Sequence, residues 1–361
     1  MDTATQALLG AVVGQAGFSH KLGRRAMVFG ALGGLVPDLD VVAMATHGPF
    51  AEFTYHRGFT HSLWFGPVFG PILGWAIWRF YRWRKQTGPG QPGARSLLGA
   101  WVGLMIWALL THPLIDIFTP YGTQLFAPFW RYRVAINAVG IIDLGYSGIL
   151  LVGLLAGLIG WGRIGRVRTA AWLALILSWS YMAYGGWLNA QAEQTLQADF
   201  EKRGHPEAIV RTYPTFFLPY LRRAVVRTDS EIWVGLYTPM GGGADHWESF
   251  PRPPDHPMIE RLRSTPEGRL FEWFALEQTV ARVLPAPNGV AVEIDDLRYG
   301  LPGRPDRGLW GIRGVFNSEG KLTGPVRRIR MQGRPGLDFE SFWRATWGEP
   351  AALFEVRGGV E

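Results

Sequence analysis

The 361 residues allow one large domain or two ordinary ones, and 48% of them are hydrophobic. There is no cysteine, which excludes disulfides, thiolate metal sites and a cysteine nucleophile; any metal must be held by histidine and carboxylate. The net charge of +7 would suit nucleic acid if the lysines and arginines shared one soluble face, but many sit in short loops beside apolar runs, so no nucleic-acid partner is expected.

Apolar residues concentrate before about residue 190. The first run, 5–18, is shorter than the roughly 20 residues that cross a bilayer core, and it spans at a tilt or dips in and returns. Its opening, "MDTATQALLG", has neither a basic leader nor a small-residue cleavage site, so a retained segment is expected. A second run, 27–45, is interrupted by "PDLD". Runs 62–80, 97–118, 134–161 and 169–190 approach or reach spanning length. Residues 1–190 therefore read as a polytopic, all-α membrane bundle of about five to six helices. The basic loops "KLGRR" (21–25), "RFYRWRK" (79–85, with Arg95) and "RIGRVR" (163–168) mark the cytoplasmic side of a bacterial-type inner membrane. Alternating helices then leave the remainder of the chain extracytoplasmic.

After residue 190 the pattern changes. "LNAQAEQTLQADFEKRG" has helical spacing and no proline, so a helical connector is expected at about 191–204. Segments 223–239, 289–300 and 307–317 mix β-branched and aromatic residues between turn-forming ones and read as strands. Segment 267–283 has helical spacing, while 241–243 with "RPPDHP" marks a loop. A small β-rich α+β domain over 191–361 follows, and no motif in it names a protein partner.

Ionisable residues within or at the ends of spanning segments are functional candidates. Here they are Asp38 and Asp40 in "GLVPDLDVV", His56 and His61 in "HRGFTHS", His112 and Asp116 in "LLTHPLIDIFTPYG", and Asp143. His112 and Asp116, four apart, lie about 40° apart on a helix and can converge on one ion; Pro113 suggests that the helix ends at His112 or kinks there. His56 and His61 would point about 140° apart on an unbroken helix, but Gly58 allows a turn, and Thr60 or Ser62 can cap the next helix. Asp38 and Asp40, in an extended or irregular turn after Pro37, would share a side. The basic loops place these three clusters at one depth near the outer face. Three histidines and three aspartates there suit zinc or manganese. Each pair alone could also be a hydrogen-bonded pair, a helix stop or an interfacial cluster, and Asp143 reads equally as a structural residue. Aromatic-rich "LFAPFWRYR" (125–133) fits an interfacial belt, and Arg57, Arg131 and Arg133 are the cations that an anionic head group would meet.

The ordered set "MDTATQALLGAVVG", "GGLVPDLDVV", "HRGFTHSL" and "THPLIDIFTPYGTQLFAPF" resembles the YdjM-like family of membrane-bound metal-dependent hydrolases over about residues 1–190. That family is distantly similar to zinc-dependent phospholipase C and P1-type nucleases. The resemblance implies Asp38, Asp40, His56, His61, His112 and Asp116 as metal ligands, with Arg57, Thr60, Tyr121 and Gln124 near them. The chain departs from many relatives in carrying Gln6 where they have histidine. The expected activity is hydrolysis of a lipid phosphate ester by one or more divalent ions, zinc first and manganese second, with Asp38 or Asp40 taking a proton from water. Other readings of the same residues are a metal-ion or proton transporter and a scaffold with a structural metal.

Overall fold

The computed structural model describes residues 1–84, 94–160, 162–241, 247–252, 256–287, 289–300, 306–330, 339–349 and 353. Lys85, the Arg95 side chain and the loop residues 242–243 and 253–255 noted above lie outside them. The chain forms two compact units, one of residues 1–46 and 55–186, the other of 47–54 and 187–361. The second unit takes in segment 47–54, far in sequence from the rest of it.

The first unit contains α1 (Thr3–Leu22), α2 (Arg25–Leu35), a 3₁₀ turn (Pro37–Asp40) and α3 (Val41–Thr46). Helix α4 (Ala51–Tyr55) leads back into it, followed by a second 3₁₀ turn (Phe59–His61), α5 (Phe65–Trp83), α6 (Ala94–Asp116), α7 (Leu144–Ile159) and the start of α8 (Ile164–Lys202). Two described stretches, Arg25–Ala43 and Leu97–Asp116, are long and apolar enough to cross a membrane, and Leu144–Ile159 is apolar but shorter. This corrects the expectation of about five to six spans. Several of the expected runs owe part of their apolar look to glycine and tryptophan, which contribute little hydropathy but allow tight packing.

That packing shows between helices. A side chain at Gly10 or Gly14 of α1 would overlap the carbonyl of Gly30 or Ala26 on α2, and one at Gly34 would come within 2.5 Å of the Gln6 carbonyl. Gly66, Gly70 and Gly74, spaced four apart on α5, face Ile106, Leu110 and Val102 on α6, where an added Cβ would lie 2.5–3.0 Å from backbone atoms. Small residues one turn apart let helix backbones approach closely. The α1–α2 contact brings Gln6 to the end of α2, and the α5–α6 contact brings the turn before α5 to the end of α6. Leu9, Val12, Val13 and Ala16 of α1 complete a core with Ile115, Val139, Tyr146, Leu150 and Met182.

The second unit holds two four-stranded antiparallel meanders. The first is β1 (Ile209–Pro214), β2 (Arg222–Arg227), β3 (Glu231–Tyr237) and β4 (Trp247–Pro251); the second is β5 (Thr279–Ala286), β6 (Gly289–Asp296), β7 (Trp310–Asn317) and β8 (Arg327–Arg330). The strand expected at 223–239 is a hairpin, β2–β3, turning at Asp229 and Ser230. The helix expected at 267–283 is shorter: after α9 (Pro257–Arg263), α10 (Pro266–Phe274) stops, and Leu276 and Glu277 take positive φ before β5 begins. The β-branched pair Thr279 and Val280 is better accommodated by the sheet than by a further helical turn. The connector is helical as expected, since α8 runs unbroken to Lys202; its Ala192, Leu196 and Phe200 pack on Val210, Ala224 and Val226. A last helix, α11 (Phe339–Thr346), buries Phe342 and Ala345 against Leu221 and Leu236.

Candidate metal centre

Four donor atoms meet where α2, the turn before α5 and the end of α6 converge. The Nε2 atoms of His61 and His112 are 3.0 Å apart. Asp38 Oδ1 is 3.5 Å from each. Asp116 Oδ2 is 3.4 Å from His61 Nε2 and 3.5 Å from His112 Nε2. Ligands held about 2.0–2.1 Å from a tetrahedral ion lie about 3.3–3.4 Å from one another, and the Asp38, His61 and His112 spacings of 3.0–3.5 Å are close to that. Asp38, His61 and His112 form a compact group able to hold a metal.

Hydrogen bonding points the donors the same way. His112 Nδ1 lies 2.6 Å from the Gly34 carbonyl, which can only accept, so the proton is on Nδ1 and Nε2 offers a lone pair. His61 Nδ1 lies 3.4 Å from Asp40 Oδ2 and 3.1 Å from Thr60 Oγ1, which assigns its proton in the same sense. Two imidazole lone pairs then lie close to each other and to the Asp38 and Asp116 carboxylates. Such a cluster repels itself unless a cation lies between its members. The donor set fits a divalent metal, with nitrogen and oxygen ligands and no sulfur.

Asp38 and Asp40 have separate surroundings, contrary to the expected shared side. They sit in a 3₁₀ turn, where residues two apart point about 120° from each other. Asp38 joins the four-donor cluster, whereas Asp40 is bonded to the segment around Arg57. Its Oδ1 is 3.0 Å from His56 Nδ1, and its Oδ2 accepts from the Arg57 amide at 3.0 Å and the Thr60 hydroxyl at 3.5 Å. His56 is therefore beside Asp40, its ring 5.9 Å from that of His61 and its side chain a quarter exposed.

Arg57 has a positive φ of 56°, an unfavourable conformation for a side chain of its size. Its amide is fixed by Asp40 and its carbonyl accepts from the Gln124 amide at 2.9 Å, so both ends of the strained residue are held. Its buried guanidinium donates to Thr119 Oγ1 at 2.6 Å and lies 3.4 Å from Asp116 Oδ2. Arg57, expected as a substrate contact, stands beside a cluster carboxylate whose charge it can offset. Tyr121 is sandwiched: the guanidinium carbons of Arg57 and Arg133 lie 4.9 and 5.3 Å from its ring centre. Arg133 is buried and donates to the carbonyls of Tyr121 and Gly122, while Arg131 is exposed beside exposed Phe129, Trp130 and Tyr132. Gln124 is buried and tied through its amide to Arg57.

The expected cap before α5 does not form. Thr60 contacts His61 and Asp40 instead, and α5 begins later, at Phe65, with no side-chain cap. Pro113 does not end α6, which continues to Asp116 and keeps His112 and Asp116 on adjacent turns. Asp143 caps α7, accepting from the Tyr146 amide at 2.8 Å and the Tyr181 hydroxyl at 2.9 Å.

Gln6, at the point of departure from the resemblance, reaches the centre. Its Nε2 donates to Asp116 Oδ1 at 3.0 Å and to the His112 carbonyl at 3.3 Å, and its buried Oε1 has no hydrogen-bond partner among the described residues. The Met1 amino group also pairs with Asp116. Thr119 and the Gly34 carbonyl escaped the sequence reading. Thr119 lies inside a quoted motif, but a backbone acceptor leaves no trace in residue type.

The chain is 27% identical over 150 residues to the uncharacterized protein YfhP of Bacillus subtilis (strain 168), an alignment covering 40% of this chain and 42% of that protein. The chain thus matches less than half the length of this curated relative. No solved structure matches. The profile of the YdjM inner membrane protein family matches residues 1–191, the part that carries all four cluster residues, and the chain belongs to that family.

Proposed function

We propose that the chain is a membrane-embedded, metal-dependent hydrolase that cleaves a phosphate ester of a lipid at the outer membrane surface, with its β-rich unit extracytoplasmic. The observation that supports it most is the convergence of His61 Nε2, His112 Nε2 and Asp38 Oδ1 within 3.0–3.5 Å, with Asp116 Oδ2 3.4–3.5 Å from both histidines. Asp38, His61 and His112 would hold the ion, zinc before manganese, with Asp116 beside them partly neutralised by Arg57. A bound divalent ion supplies a Lewis acid and acidifies water.

The chain's own residues supply the rest. Asp40 stands apart from the four donors and, bonded to His56, is the carboxylate available to take a proton; His56, partly exposed, can pass it to solvent. Gly34 and Asp40 fix the orientation of the two histidine rings. Exposed Arg131 and its aromatic neighbours would meet an anionic head group whose tails stay in the bilayer. Thr60, Tyr121 and Gln124 shape the wall beside Arg57 rather than contribute charge.

A structural metal site is a second reading, favoured by one feature: Asp116 offers a fourth protein donor, and closed four-ligand sites are structural. Metal analysis of the purified chain, followed by turnover of a total lipid extract by wild type and His61→Ala, decides between them. Bound zinc with lipid turnover lost in His61→Ala is expected. Absence of bound metal refutes both readings, and bound metal without turnover leaves the structural one.

A further inference from the structure

Between Asp38 and Asp40 on one side and His56 and His61 on the other, the chain leaves the first unit. Residues 47–54 belong to the second unit and are held there by specific contacts. Phe53 is fully buried, stacked on Phe274 with ring centres 4.3 Å apart and tilted against Phe271 at 5.4 Å. The Arg328 guanidinium lies 4.5 Å from the Phe53 ring centre. Glu52 accepts from Trp310 Nε1 at 3.2 Å and pairs with Arg328 at 2.6 Å and Arg330 at 3.0 Å. Its side chain is only 18% exposed, a setting in which such pairs hold geometry better than at an open surface.

These anchors sit on α4, five residues long and too short to be helical unaided. It ends at Tyr55, directly before His56 and the strained Arg57, whose amide and neighbour bind Asp40. Fixing Glu52 and Phe53 therefore restricts, through the covalent chain, the segment that must bring His56 and His61 to Asp40 and the cluster.

We propose that Glu52 and Phe53 are positioning residues of the metal centre, and that β7, β8 and α10 of the second unit set its metal affinity by gripping them. The inference rests on the metal-centre reading above. It makes Arg328, far along the chain from every ligand, a determinant of metal retention.

The test uses the full chain in detergent with zinc alone as ligand, its affinity measured against a chromogenic chelator for wild type, Glu52→Ala, Arg328→Ala and the double variant. Each single change is expected to weaken zinc binding about 10-fold, as loss of an outer support does, and the double change by less than the product of the two, since the Glu52–Arg328 pair is lost in both. Amide exchange over 51–61 should quicken in all three. Glu52→Gln keeps the side-chain shape and lies outside the sheets, so it serves if Arg328→Ala unfolds its sheet; about a 3-fold or greater loss is expected. Arg344→Ala, which breaks an exposed pair with Glu349, should change nothing. Unchanged zinc affinity in Glu52→Ala and Glu52→Gln, or losses that multiply in the double variant, overturns the inference while leaving the metal centre standing. A wild type that binds no zinc overturns both.

Discussion

His61 and His112 each present Nε2 to the other and to Asp38 and Asp116, so removing either should empty the centre. His61→Ala and His112→Ala are each expected to weaken zinc binding by more than about 100-fold, read by metal content after dialysis. Asp40 makes a subtler case. It touches His61 through Nδ1 rather than joining the four facing donors, so Asp40→Asn should retain metal at an affinity lowered about 10- to 100-fold. If Asp40 also takes the proton, turnover at saturating zinc should fall about 100-fold or more. Equal metal loss in Asp40→Asn and His61→Ala would make Asp40 a ligand instead. Asp38, Asp116, His61 and His112 stood out in the sequence, together with Asp40 and His56, because aspartate and histidine are costly in apolar segments. The separate surroundings of Asp40 did not show, because they depend on the 3₁₀ winding of four residues.

At the level of elements, glycines bring the ligands together. Gly70 faces the backbone of Ile106, with 2.7 Å left for a Cβ, and Gly17 has nothing within 4 Å of one. Gly70→Leu should therefore force α5 from α6, lower stability by about 2 kcal/mol or more and reduce zinc retention, while Gly17→Ala should be silent. Thermal unfolding in detergent with metal analysis checks both. The helical runs were legible from apolar stretches, and β-rich character after residue 190 from punctuated β-branched segments. The hairpin at 229–230 and the early end of α10 were not, since both are settled by strand pairing between residues distant in sequence: Val225 with Val234, and Thr279 with Asp296. Nor does "AEFTY" carry any mark that Glu52 and Phe53 belong with Arg328 and Phe274.

For the whole molecule, the proposed activity at the outer surface goes with a β-rich unit outside the cytoplasm. The argument for that side is electrostatic: basic residues 21–25 and 163–168 flank apolar helices, and loops rich in lysine and arginine stay in the cytoplasm. The absence of native cysteine makes the prediction direct to test. Ser318 is exposed in the β7–β8 turn, and Gly165 is exposed at the start of α8 with open space around it. In intact spheroplasts, Ser318→Cys should react with a membrane-impermeant maleimide, whereas Gly165→Cys should react only after permeabilisation. The reverse pattern would turn the topology over and place the metal centre near the cytoplasmic face. The four donors would still bind an ion, but the lipid reached by Arg131 and Trp130 would then be one of the inner leaflet, and the substrate would have to be sought there.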